Sequence, residues 1–330
     1  MKIKSLFLTF AFGMSTMITA IAGHKYDNGI TSSLTSMGNG EYLEVHQSQN
    51  NDGLWLDVIK KQPNGTYKRI QNTQYDTGIY PKVTRLTNGL AMELHDSQND
   101  DTSWLDVLQK QPSGKYRRVQ NTKIGDYGFF TNIAPLDPES VLLVYEANIF
   151  SNSLGYTLLQ RQANGKFKAV KKGVYDQGTS PSIVSVGSGR FLEVHQSQYK
   201  RGLWADVLQQ EANGSFKKIA TKRYDSGYLP MITVMGKGIY LEVHQSDYER
   251  PLFSSPQRLF YNVLKIENGK IVKIGAARQY DEGVYPSVAA IDNRSALEIH
   301  GGNDHCTSKF AEMCSNGKLY YKEIKIPSKR

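Results

Sequence analysis

The chain has 330 residues, 39% of them hydrophobic, with 20 Tyr and a formal net charge of +9. Such a composition excludes a disordered polypeptide and is ample for one or two folded domains. The basic balance favours contact with acidic surfaces, such as anionic polysaccharide, lipid headgroups or nucleic acid, and names none of them.

The first residues set the expected compartment. Lys2 and Lys4 precede an apolar stretch from Leu6 to Ile21, and Ala20-Ile21-Ala22 offers small residues where a signal peptidase reads. Residues 1–22 are therefore expected to be a signal peptide cleaved before Gly23, making residues 23–330 a secreted or periplasmic domain. No later stretch reaches the length of a membrane span, so none is expected.

From there on the chain repeats itself, which is the pattern to seek before any other. Tyr-Asp-x-Gly occurs at Tyr26, Tyr75, Tyr175, Tyr224 and Tyr280, with a degenerate copy, Gly125-Asp126-Tyr127-Gly128, between the second and third of these. Six units thus start near residues 26, 75, 125, 175, 224 and 280. Each motif reads as a turn in which Asp accepts from the backbone and Gly takes positive φ. Fifteen residues after its glycine each regular unit carries Glu44, Glu93, Glu193, Glu242 or Glu298, and two residues further His46, His95, His195, His244 or His300. The odd unit has Leu143 and Tyr145 instead.

Within a unit the pattern is four short strands. In the fourth unit these are Ser182 to Val186 (a), Phe191 to Ser197 (b), Leu203 to Gln209 (c) and Ser215 to Ile219 (d). Leu192 and Val194 alternate with Glu193 and His195, as a half-buried strand requires. Hairpin dipeptides such as Asn64-Gly65 and Ser113-Gly114 join c to d. Four antiparallel strands repeated six times predict an all-β, six-bladed β-propeller filling residues 23–330. The last unit supplies only three strands before Arg330, and Gly23 to Lys25 are too few for a normal outer strand. A three-stranded final blade, in a ring closed without a strand swap, is the expectation.

Cys306 and Cys314 lie in the b–c insertion of the last unit and are expected to form a local disulfide in an oxidising compartment. A metal site there would need two more ligands beside His305. The b–c insertions, Asp247 to Gln257 and Gly301 to Lys318, would open on the same face as the d–a loops and mark a binding face. Basic residues on the outer strands, among them Arg69, Arg118 and Lys218, read as edge protection or as a rim for an anionic envelope surface.

The candidate ligand site is the row Glu-x-His on strand b, whose side chains share one face. Strand c sets an aromatic residue near it: Trp55, Trp104, Trp204 and, in unit five, Phe260. Acceptors, imidazole and a flat ring suit a sugar, so Glu44, His46, Trp55, Glu93, His95, Trp104, Glu193, His195, Trp204, Glu242, His244, Phe260, Glu298 and His300 are candidate glycan contacts between blades. The competing reading makes the same residues a buried hydrogen-bond network that glues blades together. Unit three should have lost any such site.

No cofactor or metal motif, phosphate loop or nucleophile elbow is present, and no specific nucleic-acid partner is implied. The innermost strands, such as Lys82-Val83-Thr84-Arg85 and Asn132-Ile133-Ala134, carry no carboxylate. The chain is therefore expected not to be an enzyme. A secreted glycan-binding propeller leads, with a protein-interaction scaffold on the b–c loop face second and a glycoside hydrolase third. The run Tyr175 to Val207, with its Leu-Glu-Val-His-Gln-Ser, resembles tandem modules of secreted bacterial proteins. In repeat count and size the chain is similar to the six-bladed fucose-binding lectins, which implies sugar sites between adjacent blades. Those lectins usually bring an Arg and a Glu to the sugar, and here His46 and its equivalents stand where the Arg is wanted.

Overall fold

The computed structural model describes residues 23–49, 53–100, 102–125, 129–148, 152–197, 201–246, 257–302 and 315–327. The expected signal peptide and the Cys306–Cys314 disulfide lie outside these residues. Six sheets of four or five antiparallel strands form the molecule. Strand β1 (His24–Asn28) comes first and belongs to the last sheet. Blade 1 is β2 (Ile30–Gly38), β3 (Glu41–Gln47), β4 (Gly53–Lys61) and β5 (Tyr67–Thr77). Blade 2 is β6 (Ile79–Thr87), β7 (Leu90–Asp96), β8 (Ser103–Lys110) and β9 (Tyr116–Gly125). Blade 3 is β10 (Phe129–Asp137), β11 (Ser140–Asn148), β12 (Ser153–Arg161) and β13 (Phe167–Gln177). Blade 4 is β14 (Thr179–Gly187), β15 (Arg190–Gln196), β16 (Gly202–Gln210) and β17 (Phe216–Ser226). Blade 5 is β18 (Tyr228–Gly236), β19 (Ile239–Gln245) and β20 (Arg258–Glu267), with an outer strand split into β21 (Lys270–Lys273) and β22 (Arg278–Glu282), both paired to β20. Blade 6 is β23 (Val284–Ala290), β24 (Ser295–Gly301) and β25 (Lys318–Lys325).

The expected three-stranded last blade is corrected by β1. It pairs antiparallel with β25, His24 opposite Tyr321 and Asn28 opposite Lys318, and completes a four-stranded blade 6. The unpaired edge that β25 would otherwise expose is thereby covered. The inner strands β2, β6, β10, β14, β18 and β23 touch one another in a closed cycle around the axis.

Apolar side chains make six clusters, one at each boundary between blades. One joins Met92, Leu94 and Leu105 of blade 2 to Ile133, Val141 and Leu143 of blade 3; another joins Leu34 and Tyr42 of blade 1 to Leu297 and Ile299 of blade 6. Because each sheet buries both faces, inter-blade contacts hold the ring together as much as the sheets do. The inner strands add a polar seam: Ser33 Oγ accepts from Val83 N at 3.0 Å, Ser182 Oγ from Ile232 N at 3.2 Å, and Ser287 Oγ from Leu34 N at 2.9 Å.

Tyr-Asp-x-Gly proves to be the end of an outer strand, not a free turn. Tyr75 and Asp76 close β5, and Gly78 then steps to the inner strand of the next blade. Gly78 is needed for space: a Cβ there would stand 2.5 Å from His95 Cδ2. The glycine and histidine of the repeat are one packing unit across a blade boundary.

Candidate functional site

Two sets of residues compete for the role, the repeated polar groups between blades and a cup on the axis. The first set is the Glu/His/Trp constellation, and the structure does assemble it. Glu44, Glu93, Glu193, Glu242 and Glu298 are all 0% exposed, and the five histidines are at 1–2%. His95 Nδ1 lies 2.9 Å from Glu93 Oε2, and the same pair recurs for His46, His195 and His300 at 2.9–3.0 Å and for His244 at 3.2 Å. Trp55, Trp104, Trp204 and Phe260 are half-buried beside them. Phe260 stacks on His244 and Tyr320 on His300, each with ring centroids 5.8 Å apart.

The aspartate closing each outer strand reaches into the next blade. His95 Nε2 is 3.8 Å from Asp76 Oδ2 of blade 1, and Asp76, His95 and Asp106 form a tight cluster, repeated as Asp27/His46/Asp57 and Asp176/His195/Asp206. Three donors of this kind could ligate a metal, but a cation of the protein already holds that place. Arg118 contacts both Asp76 and Asp106; Arg69 does the same for Asp27 and Asp57, and Lys218 for Asp176 and Asp206. Three residues read from sequence as a basic rim are thus partly exposed counter-ions at the blade boundaries. Asn121 adds hydrogen bonds to Asp76 and Asp106 at 3.0 and 2.8 Å.

Electrostatics follow from the crowding. Burial, then the charge of Glu93, pushes Asp106 up to about 8, so it holds a proton at neutral pH. Burial would lower His95, but the charge and hydrogen bond of Glu93 raise it instead. Asp27 is also pushed up by burial, yet hydrogen bonds from Arg69 and the Asn28 backbone hold it below its ordinary value. These groups lie deep between blades, and one oxygen each of Glu44, Glu93, Glu193 and Glu298 finds no hydrogen-bond partner among the described residues.

Blade 3 carries a different solution. Gly155 lies opposite Tyr145 where the other blades set Trp, Phe or Tyr against His, and a Cβ on Gly155 would stand 2.7 Å from the Tyr145 ring. The Tyr145 hydroxyl meets Thr157 Oγ1 at 3.1 Å. At this register a large residue on strand b facing a glycine on strand c replaces the His–aromatic pair.

The second set went unnoticed in the sequence. Around the axis, on the face where the d–a connections open, a cup of about 550 Å³ (space open to solvent included) is lined by Thr31, Tyr80, Lys82, Phe130, Asn132 and Tyr285 among others. Its rim is built by one device used six times. Thr31, Tyr80, Phe130, Ser180, Leu229 and Tyr285 all have φ between +50° and +53°. Each sits at a bulge where the inner strand slips register against strand b, as between Ile79 and Lys82. Left-handed backbone at a non-glycine residue is strained, by roughly 1–3 kcal/mol each, and bulges commonly re-aim side chains at functional sites. Glycine would relieve the strain, yet aromatic residues stand at three of the six places. Tyr80 and Phe130, on neighbouring blades, have ring centroids 6.1 Å apart. The available sequence signal was the residue two places after each repeat glycine, followed by Pro81, Pro181, Pro230 or Pro286 in four units.

Comparison with known proteins bears on the fold. No family model matches the chain, and no curated protein matches it. Among solved structures, a mutant of the Aleuria aurantia lectin in complex with alpha-methyl-L-fucoside is 11% identical, with a TM-score of 0.54 over 93% of this chain and 97% of its own. A Hadza microbial sialidase is 10% identical at a TM-score of 0.52, over 90% of this chain and 66% of that one. Kuenenia stuttgartiensis hydrazine synthase is 11% identical at 0.51, over 88% and 80%. The shared feature is the propeller. Enzymes stand beside a lectin in this set, so the expectation that the chain is not an enzyme is corrected: its architecture carries catalysts as readily as binders. Acids near the cup come from the ends of strand b, where Asp96 acts on Lys82 and Tyr80, and Glu146 accepts from Thr179 at 2.5 Å. Among the described residues no helix is long and apolar enough to cross a membrane.

Proposed function

We propose that the exported chain binds a carbohydrate in the axial cup, with the Glu/His networks holding the blades that shape it. The observation that carries this reading is the ring of six strained, non-glycine residues aimed at one cavity. Tyr80, Phe130 and Tyr285 offer flat apolar surfaces, and Ser180, Asn132 and Lys82 offer polar groups among them. That mixture suits a sugar, which presents an apolar ring face and a periphery of hydroxyls. Recognition of this kind serves a lectin and a glycosidase alike.

The test exploits the strain. Tyr80→Gly, Phe130→Gly and Tyr285→Gly, singly and together, should leave the melting temperature unchanged or raised, since glycine adopts positive φ without penalty. Sugar binding, followed by ligand-observed NMR and a glycan array, should fall about tenfold or more in the triple variant. Unaltered binding in a folded triple variant would move the site away from the cup. A second reading, in which the half-buried Trp55, Trp104 and Trp204 take sugar between blades, gains in that case and is read by Trp204→Ala.

A further inference from the structure

The seam of inner-strand serines is broken at three blades. Where blades 1, 4 and 6 have Ser33, Ser182 and Ser287, blades 2, 3 and 5 have Lys82, Asn132 and Met231, each at the same register position against strand b. The ring gives up staples there and gains three side chains on the wall of the cup. Two of them are donors that find no oxygen acceptor. Among the described residues Lys82 has neither a hydrogen bond nor an ion pair, and its acidic neighbour, Asp96, is engaged by Ser103 at 2.8 Å. Asn132 turns its carbonyl to the backbone N–H of Ile133 at 2.8 Å, which leaves its amide nitrogen against Met231 Sδ at 3.8 Å.

Among the described residues no carboxylate lines the cup. An ammonium and an amide on adjacent blades, facing the same cup with no protein oxygen to accept from them, are placed to donate to the oxygens of a ligand. Both lie on the blades that carry the paired aromatics Tyr80 and Phe130. Building on the reading of the cup as a sugar site, we infer that its ligand is an acidic sugar of the hexuronate class, its carboxylate set against Lys82 and Asn132 and its ring face against Tyr80 and Phe130. Burial, opposed by Asp96, pulls the Lys82 ammonium down to about 8, so it stays largely charged at neutral pH.

The decisive variant is Lys82→Ser, which installs the residue that three other blades carry and so should fold; Lys82→Arg keeps the charge. Binding of D-glucuronate, D-glucose and acetate is measured by ligand-observed NMR for all three proteins at constant ionic strength. The expected result is a preference for glucuronate over glucose of about tenfold or more, as a charge-assisted hydrogen bond provides. Lys82→Ser should abolish that preference and Lys82→Arg keep most of it. Equal binding of glucuronate and glucose overturns the acidic-sugar inference and leaves the cup as a sugar site. Acetate binding as tightly as glucuronate also overturns it, since the site then reads a bare carboxylate. Failure of every sugar to bind overturns this inference together with the reading on which it rests.

Discussion

At the scale of single residues, the carboxylates between blades set how the protein should respond to pH. Asp106 rises from its ordinary 3.8 to about 8, through burial and Glu93, so between those values the folded protein holds a proton that the unfolded chain has released. Stability from this group therefore declines as pH rises from about 4 to 8 and is constant above that. His95, also raised, acts in the same direction, because its proton is held by the folded state above the pH at which the unfolded imidazole loses it. Blade 5 already contains the remedy: Asn262 occupies the place of Asp106 and donates to Glu242 at 2.8 Å. Asp106→Asn should accordingly flatten the decline of melting temperature between pH 5 and 8; a wild-type protein whose melting is indifferent to pH over that window would count against a protonated Asp106. Removing a partner has the opposite effect. Glu193→Ala strands His195 at 2% exposure and should destabilise by about 3–5 kcal/mol in denaturant titrations.

Strand β1 is the element on which the ring depends most for its size. Its five residues complete blade 6 through β25, while its Asp27 enters the Arg69–Asp57 cluster of blade 1. A chain starting at Ile30 loses both links, and its melting temperature should drop on the order of 10 °C, with Asp27→Ala showing only part of the loss. This element was hidden in the sequence because His24 to Asn28 includes the repeat motif and therefore looked like a connection. The regular units were legible, since strands b and c alternate apolar and polar residues in every copy, and Leu192, Val194, Ala205 and Val207 are core residues as that pattern requires. Glu193 and His195 were found for the same reason, but a period of two cannot tell a ligand-facing row from one facing the next blade. The cup rim escaped because left-handed backbone without glycine leaves no compositional mark. Phe130 and Tyr285 became visible only when the chain closed into a circle.

Viewed as a whole, the molecule keeps the contacts that hold it together apart from the cup proposed to bind a ligand. Cohesion lies in six apolar boundaries and in the repeated polar seams, and blade 3 shows that a seam can be rebuilt from Tyr145 and Gly155 without breaking the circle. The proposed recognition site lies on the axis, where the inner strands differ: serine at three places, lysine, asparagine and methionine at the others. A ring of near-equivalent parts thereby acquires one side, blades 2 and 3, that carries longer donor side chains. The closing strand carries a kinetic corollary. Residues 24–28 must find residues 318–325, so the circle is sealed by a contact that spans nearly the whole chain, and until that contact forms β25 offers an open edge to any matching strand. A second molecule's β1 matches as well as its own. Refolding at high protein concentration should therefore trap dimers that have exchanged their first strands, separable by size exclusion and rare when the same chain is refolded dilute.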